Sequence, residues 1–112
     1  MLLKELIETE MRCAGATPDY AGYFYLMYAV NASITDGSPL EQAAVRIYTQ
    51  VAEQCGVSPS SVERGIRMLG PVMWRNGENT LLKSAFPGSM ELIAALRDNV
   101  LAHMRECGAA NA

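Results

Sequence analysis

A hydroxyl-bearing residue followed directly by proline occurs three times in this chain, at residues 17–18, 38–39 and 58–59. Serine and threonine favour the N-cap of a helix, and proline favours the first helical position, where no backbone N–H is needed. Each pair therefore predicts the start of a helix. Gly15, Gly37 and Gly56 precede the pairs and predict where the preceding helices end. These signals restrict the chain to helices joined by short turns.

Apolar residues between these signals recur at helical spacing. Residues 2–13 mix leucines with charged residues, which predicts an amphipathic first helix. The second helix, from Tyr20 to about Ile34, is apolar on nearly every side and belongs at the centre of a bundle. A capping box at 38–41 (Ser-Pro-Leu-Glu), with its proline at the first helical position, predicts a third helix that ends near Cys55. We expect its inward face to consist of Ala44, Ile47, Val51 and Ala52.

The second half of the chain continues the helical pattern. A fourth helix begins at Pro59, and Asn76-Gly77 marks its stop. Leu81, Leu82 and Phe86 fit one or two further helical turns. The run 87–89 (Pro-Gly-Ser) then predicts a last helix to about residue 106. The fold class is therefore all-α, a compact bundle of five to six helices, with residues 1–106 as one domain and 107–112 as a frayed tail.

Composition excludes several classes of protein. A chain of 112 residues that is 50% hydrophobic fits one globular domain and not a disordered tail. No apolar run reaches the length of a membrane span, and the charged first helix does not resemble a signal peptide, so we expect no membrane association and a cytoplasmic location.

No pattern of residues predicts catalysis. The three cysteines are far apart without a CxxC pair, and a single histidine accompanies them. We therefore expect reduced, buried or half-buried thiols and no metal site. His103 lies in the last predicted helix, without the serine, cysteine or acidic pattern of a catalytic histidine, and we expect it at the surface, favoured by the helix dipole. The sequence indicates no enzyme, no cofactor and no small-molecule substrate.

The spacing of Ala52, Gly56 and Val62 is the most informative pattern in the chain. Two short helices that cross steeply need a small residue at their contact, a turn residue that tolerates positive φ, and an aliphatic residue from the second helix. This spacing is typical of a DNA-binding helix-turn-helix, although ordinary helical hairpins also satisfy it. We therefore predict that residues 43–55 and 59–69 cross, with Val62 and Ile66 buried.

The opposite face of the fourth helix has the chemistry of a DNA-recognition surface. It consists of Ser60, Ser61, Arg64, Arg67 and Met68. Serine hydroxyls and a helix N-terminus can bind phosphate, and an arginine can donate two hydrogen bonds to guanine O6 and N7. In the alternative interpretation, this is a solvated face whose arginines pair with acidic neighbours at positions 63 or 53.

Charge is the main argument against a nucleic-acid partner. The net charge is −3 and the pI is about 5.0, whereas phosphate binding relies on lysine and arginine. Residues 46–83, however, carry five basic and three acidic side chains. The predicted binding segment is therefore more basic than the rest of the chain.

Four runs resemble a known family. They are 22–26 (Gly-Tyr-Phe-Tyr-Leu), 43–57, 61–67 (Ser-Val-Glu-Arg-Gly-Ile-Arg) and 74–77 (Trp-Arg-Asn-Gly). Over about residues 3–104 the chain resembles the C-terminal effector domain of the stage zero sporulation protein A family. The resemblance implies six helices, of which the third and fourth form the helix-turn-helix. It also implies a recognition helix in the major groove of duplex DNA, copies in tandem on DNA, and regulation of transcription in sporulation initiation.

By resemblance, Glu63, Arg64 and Arg67 match positions of the DNA-contacting helix. The full set of predicted DNA-binding residues is Ser60, Ser61, Glu63, Arg64, Arg67, Arg75 and Lys83.

Departures from the family pattern lower the expected DNA affinity. Ser61 replaces a basic residue, Met68 replaces a polar one, and the connection around residues 84–87 is shorter and poorer in lysine. Met1 stands just before the effector domain, so we expect no phosphoacceptor receiver domain and no phosphorylation-driven dimerisation. A homodimer stays open.

The alternative function is a protein-interaction or dimerisation module that kept the fold and lost DNA affinity, with Met68 and Pro71 facing a partner.

Proline within a helix removes a hydrogen bond and clashes with the preceding turn, so we also predict a kink or break before Pro71. The five tyrosines are expected to pack in the core or an interface rather than stack on bases.

Overall fold

The computed structural model describes residues 2–77, 81–82 and 84–110, with side chains described as far as residue 106. The described residues form five helices and no strand. The helices are α1 (Leu3–Cys13), α2 (Ala21–Asp36), α3 (Leu40–Cys55), α4 (Pro59–Asn76) and α5 (Ser89–Ala110). The all-α prediction is confirmed.

Helix α2 lies at the centre of the bundle and contacts each of the other four helices, as its apolar sequence predicts. Its side chains Tyr23, Leu26 and Val30 are fully buried. On α3 the buried residues are Ala43, Ile47, Val51 and Ala52. Ala44, which we expected to face inward, is only half-buried, because the inward stripe of α3 begins one residue earlier.

Two of the three predicted helix starts are wrong in detail. Residues 18–19 form a turn, and α2 begins at Ala21 behind an N-cap at Tyr20 that has no side-chain hydrogen bond. At the start of α3 the N-cap is Pro39 rather than Ser38, and no side chain caps the helix. The predicted capping box therefore does not form.

The predicted break before Pro71 is also wrong, because α4 continues through this residue to Asn76, and the alternative of a kink stays a prediction. A Cβ atom on the preceding glycine would lie 2.7 Å from the Pro87 ring, so Gly70 allows the chain before α5 to pack against α4. Proline at position 71 removes the helical donor for the carbonyl of residue 67. Because Arg67 is exposed, water can take the place of this donor.

The connection between α4 and α5 differs from the sequence prediction. Leu81, Leu82 and Phe86 form bends and irregular chain rather than helical turns; Leu82 is buried and Phe86 is 82% exposed. The described residues thus provide five of the six helices that the family resemblance implies. Helix α5 starts at Ser89 as predicted and ends four residues later than the predicted 106. The frayed tail at 107–112 stays a prediction.

Candidate nucleic-acid interface

A tight turn joins α3 to α4. Gly56 caps α3 with a φ of 69°, in the left-handed region that glycine adopts without strain. The backbone N–H of Val57 donates to the carbonyl of Ala52 at 3.0 Å, which closes the end of α3. The Ser58 hydroxyl accepts a hydrogen bond from the backbone N–H of Ser61 at 3.2 Å, and Pro59 takes the first helical position. This helix start agrees with the sequence prediction.

The contact between α3 and α4 is completely buried. Val51 and Ala52 contribute from α3, and Val62 and Ile66 contribute from α4, with at most 3% of any of these side chains exposed. Close packing of four small and branched side chains fixes the angle at which the helices cross. The predicted burial of Val62 and Ile66 is confirmed, and α3, the turn and α4 form a helix-turn-helix.

Six of the seven predicted DNA-binding residues lie on α4, from its first turn to its last. The exposed members are Ser60, Ser61, Arg64, Arg67 and Arg75. Glu63 is half-buried beside them, and Lys83 lies outside the described residues. The fold thus brings four of the seven onto the solvent-facing side of the first half of α4. Arg75 lies more than two turns further along the helix.

The two central arginines differ in their partners. Arg67 Nε lies 3.2 Å from Glu63 Oε2, one helical turn earlier, and both side chains are more than a third exposed. Such exposed pairs contribute little to stability, so a phosphate or base could replace Glu63 at small cost. Arg64 is exposed and makes no ion pair within the described part of the chain. The alternative interpretation of paired arginines therefore holds for Arg67 alone.

Arg46, the first basic residue of the segment 46–83, is paired with an acidic residue within the fold. Its guanidinium Nη2 lies 3.0 Å from Asp36 Oδ2, at the end of α2. Hydrogen bonds from Ser38 and from Arg46 lower the pKa of the Asp36 carboxyl. Arg46 is therefore paired, whereas Arg64 has no ion-pair partner in the part of the chain that the structure describes.

A groove borders the solvent-facing side of the first half of α4, which we call the recognition face. It has a volume of about 360 Å³, and its lining includes Arg67, Met68, Pro71, Phe86 and Pro87. Met68 is 59% exposed and Phe86 is 82% exposed, so the groove presents apolar surface to solvent. Met68 and Pro71 were expected to face solvent or a partner. Phe86 was expected in a helix, and no local signal indicates its exposure.

Two of the tyrosines pack between helices. Tyr23 is buried, and its hydroxyl donates to Glu8 Oε1 at 3.1 Å. The Tyr48 hydroxyl lies 2.7 Å from the Ser89 hydroxyl, and burial raises the pKa of this tyrosine. Tyr20, in contrast, is 44% exposed. The expectation of packed tyrosines thus holds at Tyr23 and Tyr48 and fails at Tyr20.

One thiol departs from its prediction, and the histidine has a partner that the sequence does not reveal. Cys13 is exposed rather than buried, because it lies on the outer side of the last turn of α1. Cys55 is half-buried as expected, and burial raises the pKa of its thiol. His103 is partly exposed, but its Nδ1 lies 2.8 Å from Glu10 Oε1 and so joins α5 to α1. Cys107 lies outside the described side chains.

Two classes of site are missing from the part of the chain that the structure describes. No group of three or more histidine, cysteine, aspartate or glutamate residues there could hold a metal ion. None of the described helices is long and apolar enough to cross a membrane.

Comparison with known protein families agrees with this geometry. The family model described as sporulation initiation factor Spo0A C terminal matches residues 7–100. The matched region covers most of the chain and includes the whole helix-turn-helix together with α2, which packs behind it.

Proposed function

Because the chain belongs to the family of Spo0A C-terminal domains, which are DNA-binding effector domains of sporulation, we propose that it binds duplex DNA sequence-specifically and regulates transcription. The family is regulatory and not enzymatic. We propose that this chain acts in the cytoplasm and that α4 docks in the major groove of DNA.

The observation that carries this proposal is Arg64, which is exposed and has no ion-pair partner among the described residues. It lies between Ser60 and Arg67 on the solvent-facing side of α4, just after a turn that holds the start of the helix rigidly. A guanidinium in this position can donate two hydrogen bonds to guanine, and such a contact distinguishes guanine from other bases by about 1–3 kcal/mol.

The start of α4 can contact the DNA backbone. Pro59 has no N–H, the Ser61 N–H donates to Ser58 Oγ, and the Val62 N–H donates to the Ser58 carbonyl. Ser60 therefore supplies the remaining N–H of the first turn, together with an exposed hydroxyl. Helix N-termini of this kind bind phosphate oxygens. Arg67 can reach DNA by exchanging Glu63 for a phosphate or a base edge.

The charge distribution predicts modest affinity for a single copy. With a net charge of −3 and Arg46 already paired, few cations are available to displace counterions from DNA. The dependence of the binding constant on salt should therefore be shallow. We propose that two copies bound side by side, including a homodimer, would supply the missing affinity by joining two weak contacts.

A matched pair of arginine variants tests the proposal. On a preferred duplex, Arg64→Ala should cost about 1–3 kcal/mol and relax the preference at the base pair that Arg64 contacts. Arg75→Ala removes a cation from the same helix, and it should weaken all sequences evenly and lower the salt slope by about one unit. Titrations of each variant against preferred and random duplexes at several salt concentrations measure both effects. Equal, non-selective losses in the two variants would contradict base recognition by Arg64.

The groove beside α4 supports a second candidate function, a protein-interaction module. Met68 and Phe86 expose apolar side chains next to Arg67, and the Ser61 and Met68 departures reduce polar contacts to DNA. In this case the protein would bind selected and random duplexes equally, and Arg64→Ala would not change the ratio of the two affinities.

A further inference from the structure

The backbones of α2 and α4 touch directly at one point. An ideal Cβ atom built on Gly22 would lie 2.1 Å from the carbonyl oxygen of Gly65 and 2.6 Å from its carbonyl carbon. Gly22 is buried, and the two atoms nearest to this Cβ both belong to the backbone. A carbon–oxygen contact needs about 3.3 Å. Any side chain at position 22 must therefore move α2 and α4 apart by about 1 Å.

The reverse contact is of a different kind. A Cβ atom on Gly65 would lie 2.7 Å from Cδ2 and 2.9 Å from Cε2 of the Tyr25 ring. These are side-chain atoms, and a ring can turn where a backbone carbonyl cannot. A small side chain at position 65 is therefore tolerated better than one at position 22, although both glycines lie at the same helix crossing.

The position of this contact along α4 connects it to the recognition face. Gly65 follows Arg64 directly and precedes Arg67 by two residues, and it packs on the side of the helix away from them. Helix α3 holds the other flank of α4 through Val62 and Ile66. Helix α4 is thus supported from two directions, and at Gly22 the backbone of α2 meets the backbone of α4 with no side chain between them.

We propose that Gly22 is a positioning residue for DNA recognition, because it sets how far α4 projects from the bundle. The inference rests on the function proposed above. With glycine at position 22, α4 lies close against α2, and Arg64 is held at one depth from the bundle surface. Hydrogen bonds to base edges require donor–acceptor distances of about 2.7–3.2 Å, so a displacement of about 1 Å disrupts base contacts more than it disrupts contacts to phosphate.

Gly22→Ala tests the inference against two controls. It should lower affinity for the preferred duplex about tenfold and affinity for random duplex much less, so that the ratio of the two affinities falls. Gly88→Ala is the same substitution where a new Cβ meets nothing closer than 3.7 Å, and it should leave the ratio unchanged. Leu96→Ala, in the core of α5, should lower the Tm and also leave the ratio unchanged, because it weakens the fold without moving α4.

A second variant and a measurement without DNA complete the test. Gly65→Val presses on the Tyr25 ring with a bulkier side chain, and it separates the same helices if Gly22→Ala does not fold. In ¹⁵N–¹H spectra of the free proteins, a displaced α4 should shift amide resonances along residues 59–69 and not only around position 22. A folded Gly22→Ala variant with wild-type α4 resonances, or a folded Gly65→Val variant with a wild-type ratio of affinities, would overturn the inference.

The outcomes also separate this inference from the proposed function. If the wild-type protein prefers no duplex, the DNA-binding proposal fails, and the amide shifts alone decide whether Gly22 sets the position of α4. If the wild type does select a duplex but folded Gly22→Ala selects it equally well, the positioning role is overturned while the proposed function stands.

Discussion

The turn that leads into α3 and the turn that leads into α4 begin with the same signals and are built differently. Each follows a glycine with positive φ, 74° at Gly37 and 69° at Gly56, and each contains a serine followed by proline. In the second turn the Ser58 hydroxyl caps the helix. In the first turn Pro39 occupies the N-cap, and the backbone N–H of Ser38 donates to Asp36 Oδ1 at 3.2 Å.

The difference shows that a Ser-Pro pair alone does not specify the N-cap of a helix. The Asp36 carboxylate accepts from the backbone N–H of Ser38 and is held in place by Arg46, so Ser38 belongs to the turn and not to the helix start. In the second turn, Val57 lies between the glycine and the serine and packs against the core. The first turn is fixed by charge, whereas the second is fixed by a cap and by apolar burial.

The largest expected effect tests the apolar burial behind the second turn. Val62→Ala removes two methyl groups from a fully buried site and should lower the free energy of unfolding by roughly 2 kcal/mol. The same change at Val45 in α3, which is 79% exposed, should stay within about 0.5 kcal/mol. Chemical denaturation of both variants measures the contrast. Equal losses would mean that the helix-turn-helix contact is not part of the core.

A smaller effect tests the caps themselves. Ser58→Ala removes the side chain that accepts from Ser61 N and should cost about 1 kcal/mol of stability. Ser38→Ala removes a hydroxyl that caps no helix, and its midpoint of unfolding should match that of the wild type. The comparison between the turns breaks down if Ser38→Ala proves as destabilising as Ser58→Ala.

The smallest effect depends on pH. The pKa of Asp36 is lowered in the folded protein by Ser38 and Arg46, so its contribution to stability is present above the unfolded-state pKa of about 4 and is lost as pH falls through the folded-state pKa. Asp36→Asn should therefore lower the Tm at neutral pH, and the difference from wild type should shrink in acid. The Ser58→Ala difference should stay constant over the same range, because no ionisable group is changed. A constant Asp36→Asn difference would contradict the charged first turn.

Much of the fold follows from local signals in the sequence. The Ser58 cap, the positive φ of Gly56 and the stop after Asn76 depend on neighbouring residues only, and all three were predicted. The start of α2, the continuation of α4 through Pro71 and the irregular chain around Phe86 were not. Beside Phe86, Pro87 packs against Gly70 of α4, and local propensity carries no record of such a contact.

The candidate site divides in the same way. Helical periodicity alone places Ser60, Ser61, Arg64 and Arg67 on one face, and their exposure follows from it. Which arginine is paired depends on side-chain conformation, and the contact between Gly22 and Gly65 depends on how two distant helices cross. A glycine on an apolar helix indicates a close approach only once its partner is known.

The central claim, that this helix-turn-helix recognises a DNA sequence, is tested most directly by selecting from a pool of random duplexes and then comparing the best duplex with unselected DNA at fixed salt. The account predicts a selected motif and a preference of about a thousandfold, the lower end of the range for specific DNA-binding proteins, because few cations face the DNA. It also predicts that Arg64→Ala reduces this preference. If the best duplex binds no better than random DNA and Arg64→Ala changes nothing, the domain is an interaction module.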